Sequence, residues 1–375
     1  MKILFVSNTN SLYGANRSML ELIKYLRAMG DDVAVLLPKN GGITDELDKI
    51  GCEYHAEKYN ICVRIGRHNA LRYFLNIGVY FRLLPKLRSS HIDLIHTNTS
   101  VLDIGACLAY ALKVPHVWHV REMLEHYNMK YVLPRWNKRL REKSDSIIYI
   151  SQFLRENARK HYAEKYTHVI YNGFDITENT IRKRNGINPA MPINLLVCGM
   201  ITENKGQAEA IEATRILVKE RGLAVNLHLA GGGDCEQYVE MLQQRIREDG
   251  IEDHIHFLGF QKDLTPIRQN ADIALQCSKL EGMGRVTVES MLAGIIVVGA
   301  ASGATRELIT DGENGYLYEP GNCTDLADKI EYIVNHPEEK IQIENRALKS
   351  ARDKFNSVSI NEQVRMLYKE LLHGK

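Results

Sequence analysis

Two glutamates eight residues apart frame the stretch of this sequence best equipped for chemistry: Glu281-Gly-Met-Gly-Arg-Val-Thr-Val-Glu289. Gly282 and Gly284 fall after a predicted strand and before a predicted helix, so the backbone there can come close to a ligand. A helix opening near Arg285 and Val286 presents N–H groups and a positive dipole end, a ready anion site. Eight helical residues rise about 12 Å. That length would let Glu281 meet one end of a nucleotide-sugar and Glu289 the other, with pyrophosphate between them. The spacing alone suits a surface loop with two solvated carboxylates equally well. A glycosidase-like acid and base pair needs carboxyls about 5–10 Å apart across one bond, and a helix rising between them fits that poorly.

Two more turns bear on the same chemistry. Gly199-Met-Ile-Thr-Glu-Asn-Lys205-Gly206 follows a predicted strand and opens a helix, which sets Lys205 on a phosphate-facing turn. Gly231-Gly232-Gly233-Asp234 forms another tight strand-to-helix crossing, although a glycine run can also merely end a strand.

These turns need a scaffold, and the rest of the chain supplies one. Short apolar runs alternate with longer amphipathic stretches, the pattern of βαβ units and parallel sheets. Strands are expected at Lys2–Val6, Val33–Leu37, Leu94–His96, His116–His119, Ser146–Ile150 and His168–Ile170, then at Asn194–Cys198, Asn226–Ala230, His254–Leu258, Ile273–Gln276 and Ile295–Val298. Helices are expected at Arg17–Met29, Gln207–Arg221, Cys235–Glu248, Val286–Leu292 and Asp325–Asn335. The polar stretch Asn172–Pro192 has no apolar period and reads as a connection. The expected architecture is therefore α/β, with two Rossmann-like doubly wound parallel-sheet domains facing a cleft. The domains would span 1–175 and 190–356, with 176–189 as linker.

Bulk properties agree with a soluble protein of two such domains. The 375 residues suffice for two cores. Residues 1–180 carry 25 Lys and Arg against 18 Asp and Glu, whereas the remainder carries 23 against 28, so the halves should meet different partners. Seven scattered cysteines without a CxxC pair point to reduced thiols in a cytoplasm. No apolar run approaches the roughly 20 residues of a membrane span.

The second half resembles the retaining nucleotide-sugar glycosyltransferases of family 4, which have the GT-B fold. Its motifs occur in the family's order: Gly199…Lys205-Gly206, the Gly231–Gly233 turn, Leu258-Gly259-Phe260, Ser278…Glu281-x7-Glu289 with Gly294, Ser302-Gly303…Glu307, and Asp311-Gly312-Glu-Asn-Gly315. The first half matches more loosely, through Gly14-Ala15, Asp93…His96-Thr97-Asn98, His119, Ser151 and Val169-Ile-Tyr-Asn172-Gly173-Phe-Asp175. The resemblance implies that Glu281 binds the donor sugar's hydroxyls and Glu289 the ribose. It further implies that backbone N–H groups from Met283 to Val286 hold the distal phosphate, and that Lys205 neutralises the leaving diphosphate. Gly199, Gly231, Gly232 and Phe260 would line the same donor site, and the Gly14 turn would close over the diphosphate. His119 would sit at the reacting centre, and a final helix within 357–375 would return to the N-terminal domain. His96, Asn98 and Arg121 are expected on the acceptor side or in structural roles.

The family works without a metal, and no Asp-x-Asp occurs anywhere in this chain. No cofactor is implied beyond a donor such as a UDP- or GDP-sugar, and no nucleic acid. Breaking a sugar–diphosphate bond develops negative charge on the leaving oxygens, which preorganised cations and N–H donors stabilise best. Retention would follow front-face attack, a donor phosphate oxygen helping to take the acceptor's proton. Where the family often has Arg after the first glycine of the phosphate loop, this chain has Met200, and Arg285 is expected to replace that charge. The acceptor would be a saccharide or a polyprenyl-diphosphate-linked saccharide, in the assembly of surface polysaccharide. A nucleotide-sugar epimerase and a non-catalytic nucleotide-binding regulator are the alternatives. Tyr59–Ile92 holds no Asp or Glu and interleaves Arg64, Arg67 and Arg72 with aromatic and aliphatic residues. Such a segment suits a basic helix on an anionic membrane surface, at the inner face of the cell membrane, and a solvated basic helix equally.

Overall fold

The structure is a computed structural model that describes residues 1–12, 14–65, 70–124, 128–175, 181, 191–233 and 235–374. The chain divides into two compact units, one of Met1–Phe174 with Ser357–Lys375 and one of Asp175–Asn356.

The N-terminal unit begins with β1 (Lys2–Val6), α1 (Gly14–Ala28), β2 (Asp32–Leu37), α2 (Gly42–Lys49), β3 (Glu53–Ala56), β4 (Val63–Ile65), α3 (Ala70–Tyr73) and α4 (Asn76–Ser89). It continues through β5 (Leu94–Thr97), α5 (Ile104–Leu112), β6 (His116–Val120), β7 (Met129–Tyr131), α6 (Pro134–Glu142), β8 (Ser146–Tyr149), α7 (Gln152–Arg159) and β9 (Thr167–Val169). Its main sheet is parallel, in the order β3-β2-β1-β5-β6-β8-β9. Ile3, Leu4, Phe5 and Val6 are all buried, the continuous apolar run expected of a strand covered on both faces.

The second unit runs β10 (Ile193–Cys198), α8 (Gln207–Arg215), β11 (Val225–Ala230), α9 (Glu236–Asp249), β12 (Ile255–Gly259), α10 (Thr265–Asn270), β13 (Ile273–Gln276) and α11 (Arg285–Leu292). It then adds β14 (Ile296–Ala300), α12 (Thr305–Leu308), β15 (Tyr316–Tyr318), α13 (Cys323–Asn335) and α14 (Pro337–Phe355). Its parallel sheet has the order β12-β11-β10-β13-β14-β15. The chain then returns: α15 (Ser357–His373) packs on α1 in the N-terminal unit. Ile360, Val364, Leu367 and Tyr368 join Ile3, Phe5, Met19 and Ile23 in one core cluster. Burial of such side chains is worth about 1.5–3 kcal/mol each, which fixes the helix there.

Several expectations need correction. Tyr59–Ile92 is not one basic helix: β4 pairs antiparallel with β7, and α3 and α4 follow as separate helices. Arg64 therefore lies on a strand, Arg72 lies at the end of α3, and Arg67 lies outside the described residues. The helix expected over Gln207–Arg221 ends as a π turn from Ile216 to Glu220. Asn172, read as part of a connection, is buried in the N-terminal unit. The expected linker 176–189 lies outside the described residues except for Ile181.

Candidate active site

In both sheets the strand order reverses once, between β1 and β5 and between β10 and β13. Ligands of doubly wound folds bind at the carboxyl ends of the strands at such reversals. The residues expected to do chemistry collect at these two places.

In the C-terminal unit, glycine is required where strand ends converge. A Cβ on Gly231 would fall 1.9 Å from the Gly199 carbonyl oxygen, so these strand ends meet only backbone to backbone. Gly206, at φ +69°, would put a Cβ 2.0 Å from the Cys277 carbonyl oxygen. This contact seats the short 3-10 turn Glu203–Lys205 on the end of β13. Lys279 N–H donates to the Asn204 carbonyl at 2.9 Å, tying the two loops together. Lys205 Nζ then donates to Glu281 Oε1, and Ser278 Oγ donates to the same oxygen at 2.9 Å. The Glu281 backbone is itself held, since Ala304 N–H donates to its carbonyl at 3.0 Å. Gly284, at φ +82°, precedes α11 and supplies no side-chain cap to its first turn. Phe260 is largely exposed and neighbours the Gly231–Gly233 turn through Gly232.

Glu289 lies one turn into α11, so the stretch from Glu281 is helical only from Arg285 on, not over the eight residues expected. Arg268 Nη2 donates to Glu289 Oε2, and Arg285 Nη2 donates to its Oε1 at 3.2 Å. Arg285, expected to face a diphosphate in place of the missing charge at Met200, meets Glu289 one turn along its own helix, the ordinary geometry of an i, i+4 pair. Arg268 was not foreseen: it sits on α10, with no local pattern that ties it to Glu289. Burial pushes the Cys198 thiol, at the end of β10, up to about 11, with Arg268 pulling the other way.

The N-terminal unit gathers a different set. His96 and Asn98, at and just beyond the carboxyl end of β5, are buried with His119 and Arg121, at and just beyond that of β6. Arg121 donates from Nε to Asn98 Oδ1 at 2.9 Å and from Nη1 to Asn172 Oδ1 at 2.5 Å. Asn98 Nδ2 donates to the Ala15 carbonyl at 3.2 Å, which brings the Gly14 turn to the same spot. His119 Nδ1 lies 3.3 Å from Arg121 Nη2 and 3.2 Å from His96 Nε2, and His96 Nδ1 lies 2.6 Å from the Tyr368 hydroxyl.

These contacts assign the protons. A guanidinium only donates, so His119 Nδ1 accepts. His96 Nε2 must then carry hydrogen, and His96 Nδ1 accepts from Tyr368. His119 is left as its Nε2–H tautomer, and among the described residues that buried nitrogen has no hydrogen-bond partner. Burial, reinforced by the Arg121 charge, holds both imidazoles well below the ordinary histidine range. The pair is neutral. Tyr368 was missed by sequence reasoning because it lies 272 residues from His96.

Two parallel α/β units, each with polar residues at its strand reversal, fit the GT-B fold. Residues 13–178 match the model described as Glycosyltransferase Family 4, and residues 178–350 match the one described as Glycosyl transferases group 1. The chain belongs to glycosyltransferase family 4. The putative glycosyltransferase EpsD of Bacillus subtilis is 26% identical over 359 residues, spanning 90% of this chain and 88% of that protein. The N-acetyl-alpha-D-glucosaminyl L-malate synthase of Bacillus anthracis is 28% identical over 203 residues, 54% of this chain and 51% of that protein. The crystal structure of Anabaena HepE in complex with UDP and glucose superposes with a TM-score of 0.82 at 25% identity, over 99% of this chain and all of that one.

Proposed function

We propose that this glycosyltransferase moves a hexose-type sugar from a nucleoside diphosphate sugar to a saccharide or lipid-linked saccharide, with retention and without a metal ion. It would act in the cytoplasm, in the assembly of a surface polysaccharide or glycoconjugate. The observation that carries this reading is the Lys205–Glu281–Ser278 cluster seated just ahead of α11. A diphosphate at the helix start exchanges for the carboxylate on Lys205. The Lys205 charge and the roughly half-charge of the helix dipole then oppose the charge that develops on the leaving oxygens. Glu281, released, accepts from sugar hydroxyls, and Glu289, oriented by Arg268 and Arg285, accepts from the ribose. His119 has the matching chemistry for a neutral sugar: an uncharged imidazole with an Nε2–H that has no partner among the described residues.

UDP leads the candidate donors because HepE has been crystallised with UDP and with UDP-glucose. Thermal-shift screening against UDP-, GDP- and ADP-sugars, with a chelator present throughout, tests donor and metal independence together. One donor should raise the melting temperature with chelator present, and the product should keep the donor's anomeric configuration by NMR. Stabilisation only after a divalent ion is restored would overturn the metal-free reading.

A further inference from the structure

Six of the seventeen exposed large apolar side chains among the described residues line one groove of the N-terminal unit. They are Phe74, Ile77 and Phe81 from α4 and the segment before it, Tyr110 from α5, and Leu133 and Trp136 at the start of α6. Phe81 is 66% exposed, Tyr110 83% and Trp136 43%. α4 explains the pattern, since Val79, Leu83 and Leu87 face the core while Ile77 and Phe81, one turn apart, form a second apolar stripe. The groove has a volume of about 860 Å³, inside the roughly 300–1,000 Å³ range of ligand sites. An exposed apolar cluster of this kind marks a partner or a membrane.

Charge decides between them. Lys113, Arg139 and Lys143 also line the groove, all three exposed and none in an ion pair among the described residues. The acids that line it are engaged: Asp103 accepts from the Tyr73 hydroxyl and Asn137 Nδ2, and Asp145 from His116 N–H. A second copy docked by two-fold symmetry would bring the same three cations face to face. An anionic lipid meets both halves of the groove, hydrocarbon on the apolar lining and phosphate on the cations, with Trp136 and Tyr110 at interfacial depth. No described helix is long and apolar enough to cross a membrane, so the contact is peripheral.

We infer that the groove between α4, α5 and α6 docks the enzyme on an anionic bilayer by taking up a lipid chain beneath its phosphate. This keeps Phe74, Ile77 and Phe81 of the 59–92 segment and takes Lys113, Arg139 and Lys143, rather than Arg64, Arg67 and Arg72, as the cations; none of these has a role in the donor-site reading. It does not rest on that reading.

The full-length protein should co-sediment with vesicles of phosphatidylcholine mixed with phosphatidylglycerol and not with phosphatidylcholine alone. Removing two rim charges in Lys113→Ala/Arg139→Ala should weaken binding about thirty-fold, at roughly a decade or less per basic residue. Phe81→Ser, at an exposed position, should weaken it by a similar factor. Transfer to a soluble saccharide should keep its wild-type rate in all these variants, so failure of vesicle binding and failure of the donor reading show separately. Fluorescence gives a second measurement independent of any variant. Of the two tryptophans, Trp118 is fully buried with its N–H bound to the Thr99 carbonyl, so a blue shift on vesicle addition reports Trp136. Equal binding to both vesicle types, variants that sediment like wild type, or an unmoved emission maximum would each overturn the inference. A lipid-free dimer abolished by Phe81→Ser would do the same and assign the groove to a second copy.

Discussion

The two units place polar residues at equivalent points of similar sheets, yet they equip them in opposite ways. At the β10–β13 reversal the groups are charged, partly exposed and already paired, Lys205 with Glu281 and both arginines with Glu289. At the β1–β5 reversal they are buried and, apart from Arg121, neutral, ordered into a chain of hydrogen bonds from Tyr368 to His119. The difference follows from what each must recognise on the proposed reading. An anion binds by displacing an existing carboxylate, which costs little when the pair is only half desolvated. A neutral sugar hydroxyl can be met by an uncharged donor fixed in one tautomer; burial supplies the first condition and the Arg121 contact the second.

The largest expected effect breaks the charged set. Lys205→Ala and Glu281→Ala should each lower kcat/KM by about 10²–10³-fold, the range for losing one preorganised group. Calorimetric titration with free UDP should separate them: Lys205→Ala loses nucleotide affinity and Glu281→Ala keeps it. Equal losses would show that the two side chains act as one unit and that the division of labour is wrong.

Acid sharpens the comparison next. Burial holds His96, His116 and His119 uncharged in the fold, His116 down to about 3. Unfolding releases all three to their ordinary value near 6.5, so below that pH the unfolded chain binds more protons than the native one. The stability they contribute is therefore complete above about pH 6.5 and is lost as pH falls from there towards about 3, each histidine adding up to about 1.4 kcal/mol per pH unit. Hydrogen exchange of the β5 and β6 amides should accelerate between about pH 7 and 5 before that of β10 and β13. The reverse order would refute the contrast between the units.

The smallest effect concerns Tyr368. Tyr368→Phe removes the hydroxyl that donates to His96 Nδ1, and His96 should then populate both tautomers while Arg121 still holds His119 Nδ1 as an acceptor. Nitrogen-15 chemical shifts of labelled histidine read that change directly, and turnover should fall by a factor of about 3–10, one ordinary hydrogen bond's worth. Unaltered His96 shifts would mean that its contact with His119 alone sets the tautomer.

What the sequence made legible was local. The alternation of strand and helix, the glycine turns and the 281–289 stretch all lie within a few residues of each other, so their spacing carries their geometry. Short strands were lost: β3 reads Glu-Tyr-His-Ala and β15 Tyr-Leu-Tyr, each too brief or too mixed to show a period and stabilised by pairing at a sheet edge. Partnerships were lost too. Nothing near Arg268 announces Glu289, whereas the i, i+4 spacing of Arg285 and Glu289 lies open in the sequence. Of the apolar groove only the wall from α4 was legible, as aromatic and aliphatic residues within the basic 59–92 segment, because its other walls come from α5 and α6, tens of residues downstream.

The return of α15 has a consequence for biosynthesis. The ribosome delivers the first sheet early, but the helix that roofs Ile3, Phe5, Met19 and Ile23 emerges only after the roughly 180 residues of the other unit. At about 5–20 residues per second that interval lasts roughly 10–35 s, during which a nascent apolar face stays open to chaperones or to misassembly. The later-made unit is contiguous and waits for nothing, so maturation runs against the direction of translation.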